Sequence, residues 1–310
     1  MLTHRSLRRA AALGFCRRPA SSFLPPFTAI ASDMDGVLWH GGNDPIAGSI
    51  PAMLRLRDSG CPIVFVTNSS TKSREAIAHK LVMLGYSASP DDVITSSYVT
   101  AHHVAAQLKE SKNKTVFMAG NAVVQAELEK VGLTVHSVPD NAPSNYSEAD
   151  FAVIEKEASS YAAVIVGLDT AFSYRKLATV STLVQMGVPF FATNRDVANR
   201  LPSGLFSPEC GSLLAAIEVS SSRPALDCGK PSAVMVDFVR KTLKTDDPSK
   251  ILMIGDRLDT DIEFANRSGF LSCLVLSGCT SAAQAAAETD PMKKPTVITK
   301  DVSDLVRQIL

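Results

Sequence analysis

"ASDMDGVLWHGG", residues 31–42, sets Asp33 and Asp35 two positions apart at the close of the apolar run "FTAIAS". Carboxylates are rare at the end of a buried run unless a cation, a basic partner or hydrogen bonds compensate them. An ordinary polar turn after a strand gives the same letters. What lies further along the chain has to separate the two readings.

Short apolar runs at 28–32, 63–67, 115–119, 163–167, 190–193, 251–254 and 273–276 have the length of buried strands. Between them lie helical patterns such as "TKSREAIAHKLVMLG" and "FSYRKLATVSTLVQMG", with apolar residues every three or four positions and a closing glycine. Strands joined by helix-length crossovers predict an α/β fold, a Rossmann-like core of parallel sheet covered on both faces. Such sheets bind ligands at the carboxyl ends of their strands. Asp33 and Asp35, then Thr67-Asn68-Ser69, then Asp256 all follow strand runs in that way. Residues 101–212 carry their own strand and helix series and read as a second αβ domain inserted into the first. The predicted division is a tail at 1–25, core at 26–100, insertion at 101–212 and core again at 213–310. The stretch "SVPDNAPSNYSEAD", 137–150, has the composition of a surface excursion.

"MIGDRLDTDIEFANRSG", 253–269, places Asp256, Asp259 and Asp261 within six residues. Three such acids repel one another, and Arg257 offsets only part of their charge. A hard divalent cation with oxygen ligands, magnesium above all, fits the set. Aspartates capping a helix start account for one of the three more easily than for all. "VTNSSTKS", 66–73, offers hydroxyls, an amide and successive N–H groups as an anion nest, or simply an N-cap. Lys230 in "CGKPSAVMVDFV" stands before a helix, able to face a phosphate or only solvent.

Lys+Arg and Asp+Glu each number 31, so no basic footprint for nucleic acid is present. The first 32 residues hold five arginines and no acid, the composition of an organelle transit peptide. The expected location is therefore a mitochondrion or plastid, with the cytoplasm as the alternative. No run is long enough for stable membrane insertion. The six cysteines lack CxxC spacing and the six histidines make no HExxH, which disfavours zinc. No GxGxxG follows the first strand, which argues against a dinucleotide enzyme.

"SDMDGVLW", "VTNSSTKSR", "GKPS" and "GDRLDTDI" resemble, in this order, the four motifs of haloacid dehalogenase-like hydrolases, and more narrowly the phosphoglycolate, 4-nitrophenyl phosphate and pyridoxal phosphate phosphatases. The resemblance runs from about residue 28 to residue 280. It implies a magnesium-dependent phosphomonoesterase whose insertion is a large αβ cap. Asp33 would be the nucleophile forming an aspartyl phosphate. Asp35 would be the acid and base, its backbone carbonyl also binding Mg2+. Thr67, Asn68 and Ser69 would hold the phosphoryl group, opposed by Lys230. Asp256 would bind the metal directly, and Asp261 would position its waters. In the cap, "FATNRDVANRLPSG" supplies Asn194, Asp196 and Arg200 as substrate residues, and Arg200 suits the carboxylate of 2-phosphoglycolate. The expected partner is a small phosphorylated metabolite, with a homodimer suggested by the subgroup. The chain departs from the pattern at Ser32, at Ser69 and at Glu209, which stands in "PECGS" where the family has glycine. A ligand-binding or scaffold protein with residual phosphatase activity is the alternative of another class.

Overall fold

The computed structural model describes residues 24–41, 44–143, 145–201 and 203–310. Most of the predicted tail, residues 1–23, lies outside them. The chain forms two compact units: residues up to Phe65 with Leu81–Ala88 and Val239–Leu310, and Val66–Lys80 with Ser89–Phe238.

One sheet has the strand order β15-β14-β13-β1-β4-β5. Its strands are β1 (Ala29–Ser32), β4 (Ile63–Thr67), β5 (Val93–Thr95), β13 (Ile251–Gly255), β14 (Leu271–Val275) and β15 (Val297–Thr299). β1 runs parallel to β13, with Ser32 opposite Ile254, and parallel to β4, with Ser32 opposite Phe65. All four residues of β1 and all five of β13 are buried, which is why neither strand alternates apolar with polar residues. The short "AIAS" of β1 thus becomes a central strand, and the aspartates of "DMD" emerge from the middle of the sheet. A small antiparallel hairpin, β2 (Trp39–His40) with β3 (Asp44–Pro45), follows them.

The second unit holds a five-stranded parallel sheet in the order β12-β9-β8-β6-β7. These strands are β6 (Thr115–Ala119), β7 (Thr134–His136), β8 (Ala163–Val166), β9 (Phe190–Ala192) and β12 (Leu226–Asp227). Phe117, Val164, Leu183, Phe190 and Leu214 pack into its apolar core. Burial of each such side chain contributes roughly 1.5–3 kcal/mol before entropy is counted. A second hairpin joins β10 (Ala198–Arg200) to β11 (Phe206–Pro208). The fold is therefore α/β throughout, a parallel Rossmann-like core with an inserted cap.

The predicted edges of the insertion fall inside helices, at 100/101 within Ser96–Gln107 and at 212/213 within Cys210–Ser221. The cap's sheet also runs past residue 212, since β12 pairs with β9. The excursion at 137–150 is strapped down by two neighbours on the helix Tyr174–Gln185. Lys176, itself buried, bonds Asp140 at 2.6 Å and Asp169 at 2.7 Å. Arg175 donates to the carbonyls of Pro143 and Asn145 and to Asp150. Among the described residues no helix is long and apolar enough to cross a membrane.

Candidate active site

In the first unit, Asp33 leaves β1 still bonded as a strand residue, its N–H donating to the Ile254 carbonyl at 2.8 Å. Ser32 is fully buried, and its hydroxyl donates to the Asp33 carbonyl at 2.7 Å. The hydroxyl that departs from the family pattern thereby has a hydrogen-bond partner inside the core. Asp256 follows β13 on the adjacent strand. Its Oδ2 accepts from the Cys279 N–H at 2.7 Å. Asp261 sits on a π-turn, Leu258–Ile262, that folds its carboxylate back under the strand end. There Oδ2 accepts from the N–H groups of Asp256 at 3.1 Å and Arg257 at 3.2 Å. Arg257 grips Asp259 with bonds of 3.0 and 2.7 Å. Burial pushes the Asp259 carboxyl up, but Arg257 outweighs it and the net shift is downward.

Asp33, Asp256 and Asp261, all buried, bring carboxylate oxygens within 4.8 Å of one another. Backbone closes around them: a Cβ on Gly36 would lie 2.2 Å from Asp256 Oδ2, and one on Gly278 only 2.0 Å. Three buried carboxylates so close together repel one another, and an all-oxygen set suits a hard divalent ion. Asp35 is different. Its side chain is exposed, and Oδ1 accepts the indole N–H of buried Trp39 at 2.8 Å. A contribution of Asp35 to a metal through its carbonyl remains what the resemblance implies.

The second unit gathers the other group. Thr67, at the end of β4, accepts the Ser69 N–H on its hydroxyl at 3.0 Å, and Ser69 Oγ lies 3.3 Å from Thr71 Oγ1. Asn68 is the hub. Its Nδ2 donates to Asp196 Oδ1 at 3.1 Å and to the Lys230 carbonyl at 3.0 Å, and its Oδ1 accepts the Lys230 N–H at 2.6 Å. Its backbone carbonyl accepts from Asn194 Nδ2 at 2.9 Å and Ser96 Oγ at 2.6 Å. Lys230 is 2% exposed, and its Nζ donates to the Val66 carbonyl at 3.1 Å. Gly229 permits this convergence, since a Cβ there would meet Asn194 Cβ at 2.7 Å and Asn68 Oδ1 at 2.9 Å. The structure thus joins Thr67, Asn68, Ser69, Asn194, Asp196 and Lys230. Arg200 lies on β10 opposite Phe206, and its side chain lies outside the described part.

Two family models match this chain: "Haloacid dehalogenase-like hydrolase" over residues 30–134 and "HAD-hydrolase-like" over residues 227–305. "Phosphoglycolate phosphatase 2" of Arabidopsis thaliana is 34% identical over 278 residues, covering 89% of this chain and 91% of the relative. "Glycerol-3-phosphate phosphatase" of Homo sapiens is 32% identical over 303 residues, covering 94% and 92%. The chain belongs to the haloacid dehalogenase-like hydrolases. A glycerol phosphate phosphatase from Mycobacterium tuberculosis, solved in complex with magnesium, superposes with a TM-score of 0.75 at 28% identity, covering 92% of this chain and 78% of that one. A 4-nitrophenylphosphatase from Thermotoga maritima gives 0.74 at 26% identity, covering 91% and 97%.

For a hydrolase of this family, the side chain of Asn68 has a job the motif alone does not state. Its amide is engaged on both faces by Asp196 and the Lys230 backbone, so it ties strand end, cap loop and lysine loop together. Sequence reasoning also passed over Trp39 and Asp227. Trp39 is the single tryptophan of the chain, four residues beyond Asp35, a spacing that was available as a signal. Asp227 Oδ1 accepts the Gly229 N–H at 2.9 Å, directly before Lys230. Glu209 is tolerated where the family has glycine because its backbone is extended (φ −116°, ψ −173°). The demanding position is Gly211, where a Cβ would lie 2.4 Å from the Arg195 carbonyl. The Glu209 carboxyl is pushed up by burial and by Asp196.

The fit around Asp261 gives a direct test. A Cβ on Gly255 would lie 2.2 Å from Asp261 Cβ, a part of the side chain that cannot swing aside. Gly255→Ala is expected to cost about 1–3 kcal/mol in stability, as overpacking does. It is also expected to weaken divalent-cation binding by at least about tenfold, as displaced metal-site groups do. Denaturant melts and calorimetric Mg2+ titration measure the two; unchanged values in both would refute this account of the turn.

Proposed function

We propose that this hydrolase releases phosphate from small phosphomonoesters, 2-phosphoglycolate foremost, using Mg2+ at the Asp33–Asp256–Asp261 cluster. That buried trio, with an acid-base carboxylate two residues from its first member, is the observation that carries the reading. Asp33 attacks phosphorus, forming a new O–P bond while the ester O–P bond breaks. Asp35 gives its proton to the departing alkoxide. It then takes a proton from water as that water attacks the aspartyl phosphate, freeing inorganic phosphate and restoring Asp33. Bound Mg2+ supplies charge neutralisation, so that an anionic carboxylate can approach an anionic ester. Thr67 and Ser69 orient the phosphoryl oxygens, and Lys230, held by Asn68, opposes their charge. Phosphoglycolate is favoured by the Arabidopsis relative and by Arg200 on the β10–β11 hairpin, whose guanidinium suits a carboxylate. The human and mycobacterial relatives favour glycerol phosphate as the second reading.

Phosphate release from a panel of esters with Mg2+ or EDTA decides between them. Magnesium-dependent turnover led by 2-phosphoglycolate, and reduced at least about tenfold in Arg200→Ala, supports the first reading. A lead for glycerol 3-phosphate that Arg200→Ala does not alter supports the second. No turnover of any ester would remove the phosphatase assignment. We also propose an organellar address on the composition of residues 1–25, testable by a fluorescent fusion, and a homodimer, testable by sedimentation.

A further inference from the structure

The acid-base carboxylate of the proposed reaction is the least enclosed of the aspartates Asp33, Asp35, Asp256 and Asp261. Asp35 is exposed, whereas Asp33, Asp256 and Asp261 are buried. An exposed aspartate turns freely between rotamers and solvates both oxygens, a poor arrangement for delivering one proton along one line. The structure supplies a counter to that freedom. Trp39 is 3% exposed, and its indole N–H donates to Asp35 Oδ1 at 2.8 Å. The same residue takes the Gly36 N–H on its carbonyl at 2.7 Å, and residues 35 and 39 form an isolated β-bridge. The turn between them is closed by N–H groups of Val37, Leu38 and Trp39 converging on the Met34 carbonyl. Trp39 then begins the β2–β3 hairpin, with its register partner at Pro45. Ser277 Oγ donates to the Gly36 carbonyl at 2.7 Å and Ser49 Oγ to the Leu38 carbonyl at 2.9 Å, anchoring the turn from two other segments. The indole is thus presented by a rigid turn.

We infer that Trp39 is a positioning residue that fixes the orientation of the Asp35 carboxyl for the proposed proton transfers. An indole N–H only donates and does not titrate, so it occupies an acceptor oxygen in every protonation state of its partner. With Oδ1 held by Trp39, Oδ2 is the oxygen left to face the proton exchange of the proposed reaction. The bond to a charged acceptor also restrains the Cβ–Cγ rotation that solvent would otherwise allow. This inference rests on the phosphatase reading above and adds to it a residue that no part of the four motifs assigns to the proton transfers.

The single tryptophan makes the test clean, since an analogue incorporated for tryptophan enters at position 39 alone. Benzothienylalanine keeps the bicyclic shape and replaces the N–H by sulfur; Trp39→Phe serves as the second variant. The readout is kcat/KM, which reports the steps up to alcohol release, for two classes of ester. Alkyl esters such as 2-phosphoglycolate and glycerol 3-phosphate need a proton on the leaving oxygen, whereas 4-nitrophenyl phosphate does not. Loss of positioning is expected to lower kcat/KM for the alkyl esters by about 10–100-fold, a part of what general acid catalysis provides. The aryl ester is expected to stay within about threefold, because its leaving group departs without a proton. In an Asp35→Asn background the analogue should add little further, since the two groups act as one unit. An equal fall for both ester classes would mean that the indole only supports the fold of the turn, and no fall in either would mean it is idle; both overturn the inference alone. A wild-type chain inactive on every ester would overturn the phosphatase reading and this inference with it.

Discussion

Asp33→Asn is expected to remove turnover, by about 10⁴-fold or more in kcat, while leaving the protein folded and more resistant to heat in EDTA. The first effect follows from the role proposed for the group. The amide cannot attack phosphorus, and removing a nucleophile from a set of groups that act together costs nearly all of the catalysis. The second follows from where the group sits. Asp33, Asp256 and Asp261 hold carboxylate oxygens within 4.8 Å of one another in buried positions, and EDTA withholds any divalent cation that would offset them. Replacing one of three mutually repelling charges by an isosteric amide removes repulsion without leaving a cavity. The Asp33 N–H still bonds the Ile254 carbonyl at 2.8 Å, so the strand end has no reason to move. The gain in melting temperature should shrink when Mg2+ is added, because the wild type then recovers what the variant no longer needs. Calorimetric melts in EDTA and in Mg2+, beside steady-state phosphate release, measure both parts. Residual turnover above about 1% of wild type would remove Asp33 from the nucleophile's role. An unstabilised variant in EDTA would mean that the trio carries less charge than its geometry implies.

The same trio shows what a chain discloses before it folds. The central strands β4 and β6 match the predicted 63–67 and 115–119, because long buried runs bounded by polar turns have little freedom of register. β14 begins at Leu271, two residues before the predicted run, since Ser272 interrupts the apolar letters yet is buried and bonded to Thr296. β5, β7 and β15 went unread. Each is three residues long and is defined by its neighbour in the sheet more than by its own pattern. The acids after β1 and β13 were legible because charge at the end of an apolar run is costly. Their geometry was not: a π-turn over Leu258–Ile262 carries Asp261 back onto the N–H groups of Asp256 and Arg257, where a plain capped helix was the simpler expectation. The bonds that join Asn68 to Asp196 and Lys230 span more than a hundred residues and so are invisible along the chain. Arg257 read as a counter-charge for only part of the acidic set, and it does pair with Asp259, two residues away.

Asp227→Asn is expected to stabilise the protein by an amount that grows with pH, an effect no strand or motif pattern signals. Burial drives the Asp227 carboxyl up to about 7, opposed by the Gly229 N–H and the charge of Arg195 and reinforced by Asp196. The folded protein therefore holds this proton more tightly than the unfolded chain, whose aspartates titrate near 4. Stability from this group is complete below about pH 4 and is lost as the pH rises through about 7. Asparagine keeps the oxygen that accepts the Gly229 N–H at 2.9 Å but never ionises. The advantage of the variant should be near zero at pH 4, rise through pH 5 and 6, and level off above pH 7.5 at about 2–4 kcal/mol. Denaturant melts of both proteins across that range give the difference curve, in which every titration common to the two cancels. Because Gly229 and Lys230 keep their tether, turnover is expected to stay within about threefold of wild type, the loss of a tether being what would cost more. A constant offset across the pH range would mean that Asp227 is ionised in the folded state throughout. A variant less stable at pH 8 would mean that its charge is needed by Arg195. The rising curve alone identifies a carboxyl beside Gly229 and Lys230 that this fold keeps at the expense of its own stability.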